Sequence, residues 1–426
     1  MVRRLSPPKK PVEIWHDGEK LVAEAGEPLA FALIAADHWA LARSPKLHRP
    51  RGPYCLSGAC DGCLARVDGI PNVMTCMKRA VGGEQIETQN VLGSRGTDLL
   101  RAADFLFPKG IDHHQLFAGV PIISDVVQSF ARRVAGLGQL PDEVANTLPA
   151  VQKEANVVVI GGGRSGLTLA RQLASAGVTG ITLFDDQPHL GGNWGLFAPS
   201  EAQAAVAEAR ALGCSLQPAT TVVGLFENAG AGGLPTVLAA NERGATLVST
   251  RALVLATGSQ DRTVLFGNND LPGIFSARAA LALWRSGISV GPRVLLVDAQ
   301  ELGKAFEQLS GDKLQITHAS SAALLSAKGS ARVTGASFND GSPTWRGEAI
   351  VIDGPRPSTL NLAVQAGCEV RFSGEGYELL PPPAADAPAH ERRGLWVTGS
   401  AARQALTEPE QGPSLATRVV QYLAEL

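Results

Sequence analysis

Four of the six cysteines lie between positions 55 and 76, and their spacing constrains the fold more than any other feature. Cys55, Cys60 and Cys63 form a C-x4-C-x2-C run, and Cys76 arrives from a separate segment. This is the plant-type spacing of four thiolates around a [2Fe-2S] cluster. Two sulfide-bridged irons need two thiolates each, so three ligands must come from one tightly curved loop. Gly58, Ala59 and Gly62 put small residues where such a loop passes close to the sulfides and can aim N–H groups at them. The competing readings are a structural four-cysteine zinc site and a set of thiols kept without metal. Zinc ribbons present two C-x2-C knuckles, and this segment has one. Cys214 and Cys368 stand alone in apolar surroundings and read as buried small residues.

Upstream, residues 12–16, the turn Asp17-Gly18 and residues 20–23 read as a hairpin, and residues 27–37 as a helix. Strand, strand, helix and cysteine loop fit a ferredoxin-like β-grasp domain over residues 1–92. Residues 93–153 lack strand alternation, and short helical patches at 98–105 and 123–134 predict an ordered helical connector.

From residue 154 the pattern becomes strand, glycine turn, helix, strand. Residues 157–160 form the β-branched run of a parallel strand buried on both faces. Gly161-Gly162-Gly163-Arg164-Ser165-Gly166 follows, a G-x-G-x-x-G that opens a helix. Gly161 permits the tight turn, Gly163 the approach of a pyrophosphate, and Gly166 close packing of helix on strand. Phosphates would sit at the helix N-terminus, beside Arg164 and Ser165. After the next strand, Asp185 or its neighbour Asp186 stands where a carboxylate binds the adenosine ribose. Gly191-Gly192-Asn193-Trp194, the turn Ala256-Thr257-Gly258 and, near the C-terminal end, Thr398-Gly399-Ser400 complete the set. Together they resemble the first nucleotide domain of two-dinucleotide-binding flavoproteins of the disulfide-reductase type. That resemblance implies cofactor contacts from the loop, from Gly192 and Asn193, and from Thr257, Gly258, Gly399 and Ser400. Ser400 replaces the aspartate expected on a flavin ribityl chain, so FAD, NAD and ATP all stay open for this site.

Further buried strands are signalled at 252–256, 294–297, 349–352 and 395–397. The nucleotide domain is therefore expected in two parts, 154–262 and 353–426, around a second Rossmann-like lobe at 263–352. In that lobe the strand runs into Asp298-Ala299-Gln300-Glu301-Leu302-Gly303, with two carboxylates and without the fingerprint glycines, which predicts no nicotinamide cofactor there. No cysteine pair occurs in the nucleotide region, so thiol–disulfide exchange lacks its thiols.

Length and charge set outer limits. A chain of 426 residues suits two or three α/β domains, and a net charge of -2 leaves no footprint for nucleic acid. No apolar run reaches membrane-spanning length and the first residues lack an apolar signal core, so a cytoplasmic protein is expected. The basic run at 46–52 reads as a solvated loop, or as a positive patch that favours a reduced cluster or faces a flavin phosphate.

That run, with His48-Arg49-Pro50-Arg51-Gly52, is similar to a stretch of heterotetrameric sarcosine oxidase α subunits. Phe266-Gly267-Asn268-Asn269-Asp270-Leu271-Pro272-Gly273 resembles the segment after their Ala-Thr-Gly turn. The resemblance runs from the region of residue 12 to the C-terminal end, and extends to proline, hydroxyproline and opine dehydrogenases and hydrogen cyanide synthase. It implies an electron-transferring α-type subunit. The amine would be oxidised on a β-type, FAD-containing partner, with FMN at the interface and room for further small subunits. The four cysteines match the dye-linked dehydrogenases, where electrons leave through iron–sulfur. The chain ends at Leu426 without a folate-binding domain, which argues against one-carbon transfer. Two other functions stay open: a stand-alone NAD(P)H-dependent iron–sulfur flavoprotein reductase, and a nucleotide-binding scaffold.

Overall fold

The computed structural model describes residues 4–44, 48–91, 147–226, 236–374, 376–380, 394–402 and 414–425. They divide into two units: residues 1–144 with 261–354, and residues 145–260 with 355–426.

The first unit begins with the expected hairpin. Strands Pro11–His16 and Glu19–Glu24 pair antiparallel across Asp17 and Gly18. Both turn residues have positive φ, 52° and 79°, as a hairpin turn matching strand twist requires. The five-stranded sheet runs Glu19–Glu24, Pro11–His16, Gln85–Glu87, Leu64–Val67, Ile70–Met74, with a parallel contact between Pro11–His16 and Gln85–Glu87. Helix Leu29–Ala35 contains no polar residue, and every one of its side chains is buried. Ile14, Leu33, Ile34 and Ile86 form the centre of this β-grasp core. The same unit holds a parallel sheet ordered Ile274–Ser276, Ala349–Ile352, Arg293–Val297, Gln315–Ala319. Ser276 caps the helix Ala277–Arg285 by accepting a hydrogen bond from the Ala279 N–H at 3.1 Å. A three-stranded antiparallel sheet, Leu324–Lys328, Gly335–Phe338 and Trp345–Arg346, was not legible in the sequence.

In the second unit the sheet runs Ser215–Gln217, Ile181–Phe184, Ala150–Ile160, Gly244–Leu255, Thr236–Asn241, Thr221–Phe226, and Leu395–Val397 pairs beside Gly244–Leu255. The period of two decides which face each residue serves. Val157 and Val159 pack beneath helices Arg164–Ser175, Pro199–Ala211 and Leu415–Glu425, while Val158 and Ile160 pack with Leu253, Leu255 and Leu360 on the other face. All four are at most 6% exposed, and each contributes on the order of 1.5–3 kcal/mol by leaving water. The strand starts at Ala150, so residues 150–153 are strand where a connector was expected. They pair in parallel with the outer half of Gly244–Leu255, a register that the polar composition of 150–154 hides. The helical patches expected at 98–105 and 123–134 lie outside the described residues.

Candidate cofactor sites

The cysteine loop is curled by Leu56 and Gly58, at φ 51° and 75°. Its glycines are needed by the protein's own backbone. A Cβ on Gly62 would lie 2.3 Å from the Gly52 carbonyl oxygen, and one on Gly52 would lie 2.4 Å from that of Trp39. Thr75 Oγ1 donates to the Cys63 carbonyl at 2.8 Å, tying the fourth-ligand segment to the loop. Cys55, Cys63 and Cys76 are at most 2% exposed, and Cys60 lies nearer the surface.

The thiols stand as two pairs. The Cys60 thiol donates to Cys55 and, against the opposing effect of burial, lowers it to about 6. Cys76 does the same for Cys63, which is also lowered. Holding the shared protons, Cys60 and Cys76 are pushed well up, with burial adding to the effect. Among the described residues no three His, Cys, Asp or Glu side chains gather as ligands for one ion. One C-x4-C-x2-C loop with Cys76 tied to it through Thr75 fits two irons with two thiolates each.

Within the described part of the basic run, Arg49 and Arg51 are partly exposed and are engaged by an acidic partner. Arg49 Nε and Nη2 donate to the two Asp270 carboxylate oxygens at 2.7 and 2.6 Å, and Nη2 also donates to Asn268 Oδ1 at 2.9 Å. Arg51 adds a contact to Asp270 at 3.4 Å. Burial alone would raise Asp270, but the hydrogen bond and charge of Arg49 hold it below the usual carboxylate range. Nearby, the Ser276 N–H donates to the Tyr54 carbonyl at 3.0 Å, and Tyr54 Oη donates to the Arg262 carbonyl at 3.1 Å. The cysteine loop is thus seated on the lobe that follows residue 261. Both segments were conspicuous in the sequence, but their pairing across about 220 positions was not. Asp270→Ala should destabilise this unit by about 1–2 kcal/mol in urea unfolding, because it strands partly buried guanidinium donors. Asp270→Asn should cost less.

In the second unit the loop Gly161–Gly166 sits at the C-terminal end of strand Ala150–Ile160 and opens helix Arg164–Ser175. A Cβ on Gly161 would meet the Ala256 carbonyl oxygen at 2.1 Å, and one on Gly166 the Gly161 carbonyl oxygen at 2.0 Å. A Cβ on Gly163 would meet nothing within 4 Å. The other expected residues gather at the same end of the sheet. Gly191 N–H donates to the Gly162 carbonyl at 2.7 Å, and a Cβ on Gly192 would lie 3.3 Å from Gly163 Cα. Gly399 packs against Ser165, Gly258 faces Ser400, and Arg164 lies 5.7 Å over the Trp194 ring. Thr257 is engaged elsewhere, its hydroxyl donating to the Thr359 carbonyl at 2.7 Å. Asn193 Oδ1 is buried without a hydrogen-bond partner, and so is placed to accept from a ligand.

The two neighbouring aspartates differ in role. Asp185 accepts the Gly162 N–H at 2.6 Å and the Gln187 N–H at 2.8 Å, holding the loop shut from behind. Asp186 is exposed and accepts from Gln187 Nε2 at 3.0 Å. Burial raises Asp185 to about 6 from 3.8, despite those N–H groups. The folded state therefore holds this proton more tightly than the unfolded chain. Its stabilising contribution is complete below pH 3.8 and is lost as pH rises through 6. Wild type minus Asp185→Asn stability, from denaturant titrations, should fall across that window by up to ~3 kcal/mol and stay flat above it.

In the second lobe a residue that the sequence reading missed takes the place of a phosphate. Asp353, 1% exposed at the end of strand Ala349–Ile352, accepts the Gln300 N–H at 2.8 Å and the Gly303 N–H at 2.7 Å. These are donors at the start of helix Glu301–Ser310, the groups a pyrophosphate would use. Asp298, at φ 53°, accepts the Ser321 N–H at 2.9 Å. The only clue in sequence was an aspartate ending an apolar strand.

Residues 9–91 match the family described as 2Fe-2S iron-sulfur cluster binding domain, and residues 159–206 the NAD(P)-binding Rossmann-like domain. The chain is 27% identical over 70% of its length to sarcosine oxidase subunit alpha of Rhizobium meliloti (strain 1021), and 25% identical over 67% to that of Corynebacterium sp. (strain U-96). It spans 33% and 28% of those relatives' lengths. Its fold is similar to that of L-proline dehydrogenase from P. horikoshii, with a TM-score of 0.69 and 20% identity over 94% of this chain and 71% of the other. With its cysteine segment ahead of the Rossmann-like units, the chain is similar over 70% of its length to sarcosine oxidase α subunits, and its residues 9–91 match a 2Fe-2S domain.

Proposed function

We propose that this chain is the electron-transferring α-type subunit of a flavin-dependent amino-acid or imino-acid dehydrogenase or oxidase. The observation that carries the reading is the curled loop of Cys55, Cys60 and Cys63, to which Thr75 ties the Cys76 segment through the Cys63 carbonyl. Cys55 with Cys60 would hold one iron and Cys63 with Cys76 the other. When bound, the cluster supplies a carrier that takes up and passes on one electron at a time. Cys60, the least buried ligand, puts the shortest route to an external acceptor on its side of the loop. Around the glycine loop, the residues fit one ADP-containing nucleotide, whether FAD, NAD or ATP.

Carbon–hydrogen chemistry on proline, hydroxyproline, sarcosine or an opine is assigned to a β-type, FAD-containing amine-oxidase partner, with FMN shared at their interface. Asp353 already meets the donors of the second lobe, which speaks against a stand-alone NAD(P)H-dependent reductase. No helix among the described residues is long and apolar enough to cross a membrane.

The test is to express the chain with and without such a partner and assay dye reduction with each of the four substrates. Activity is expected only from the pair. Substrate-dependent dye reduction by this chain alone would overturn the proposal, and rapid bleaching by NADH or NADPH would favour the reductase.

A further inference from the structure

The cysteine loop contains one polar atom that its own protein leaves unsatisfied. The Ser57 hydroxyl is buried, and no protein atom completes a hydrogen bond with it. The loop aims this residue at the ligand set. Leu56, at φ 51°, makes the turn after Cys55, and the Ser57 N–H then donates to the Cys55 sulfur at 3.4 Å. The hydroxyl thus belongs to a residue whose own N–H already meets a ligand sulfur, and it lies buried there without a completed bond.

An unpaired buried hydroxyl is costly, and here the acceptor it needs is one that the bare polypeptide does not supply. Thiolate and bridging sulfide of an iron–sulfur core are such acceptors. Met77 adds to the enclosure: its sulfur lies 3.0 Å from where a Cβ on Gly58 would stand, and a hydrogen bond in a dry site is stronger than one in water. We propose that Ser57 Oγ–H donates to a sulfur of the bound [2Fe-2S] cluster, at Cys55 or the adjacent sulfide, and so raises its reduction potential. The reduced cluster carries one more negative charge than the oxidised one, so a donor stabilises it more. Ser57 is a tuning residue, and acts through the sulfur it touches.

The inference rests on the cluster reading, whose failure would show first, as wild-type protein lacking iron and acid-labile sulfide. With a full cluster present, redox titration followed by EPR compares Ser57→Ala with wild type. Ser57→Ala is expected to keep its iron and sulfide while the reduced-to-oxidised ratio at a given potential falls about tenfold, about 59 mV for one electron. Ser57→Thr, which keeps the hydroxyl, should restore the potential, and Ser57→Val, of the same shape without it, should not. This second pair decides the matter should Ser57→Ala assemble poorly. Equal potentials for wild type and Ser57→Ala, or for the Thr and Val variants, would overturn the proposal.

Discussion

Gly163→Ala will leave the nucleotide-free protein almost as stable as wild type and cost it the nucleotide, whereas Gly166→Ala will cost it the fold of the second unit. The difference lies in what each glycine serves. At Gly166 an added methyl lands 2.0 Å from the Gly161 carbonyl oxygen, on backbone that cannot yield without lifting helix Arg164–Ser175 from its strand. Overpacking of this severity is expected to cost about 3 kcal/mol or more. Gly163 faces open space, and its φ of -73° and ψ of -172° suit alanine, so exchange there costs less than about 1 kcal/mol, that of a poorer N-cap. Protein packing alone does not require glycine at 163. An anion lying over the backbone would. Calorimetric titration with FAD, NAD and ATP should show at least one binding to wild type and weakened about 100-fold, about 2.7 kcal/mol, by Gly163→Ala. Unchanged affinity in that variant would place the phosphates elsewhere.

Wild-type protein is expected to be brown, with iron and acid-labile sulfide in equal amounts, and Cys60→Ser to lose most of both. A serine hydroxyl is a poor substitute for thiolate, and the pairing leaves Cys55 to hold its iron alone. Cys214→Ser is the control. Its sulfur is buried in the core of the second unit and donates to the Ala170 carbonyl at 3.6 Å. Reduced wild type and Cys214→Ser should give the same rhombic low-temperature EPR signal. Stoichiometric zinc without sulfide in wild type would show the site to be a structural one.

The local features were legible in the sequence because short-range chemistry decides them. Asp17-Gly18 turns the hairpin, and residues 157–160 form a strand covered on both sides, each as short-range pattern dictates. What escaped was long-range pairing. Nothing local to Arg49 points to Asp270, and nothing in residues 150–154 marks them as strand until Gly244–Leu255 lies alongside. Asp185 and Asp186 were indistinguishable as letters. Their division of labour depends on which side chain turns back to Gly162.

Asp353 has a consequence in mass-action terms. A protein that must borrow its phosphate from a ligand is stabilised in proportion to the logarithm of that ligand's concentration, and loosens when supply falls. The lobe that seats the cysteine loop carries its anion covalently, at an effective concentration no metabolite pool can change. The stability of the cluster-bearing unit should therefore show no dependence on nicotinamide nucleotide concentration. That of the glycine-loop unit should rise with its own nucleotide.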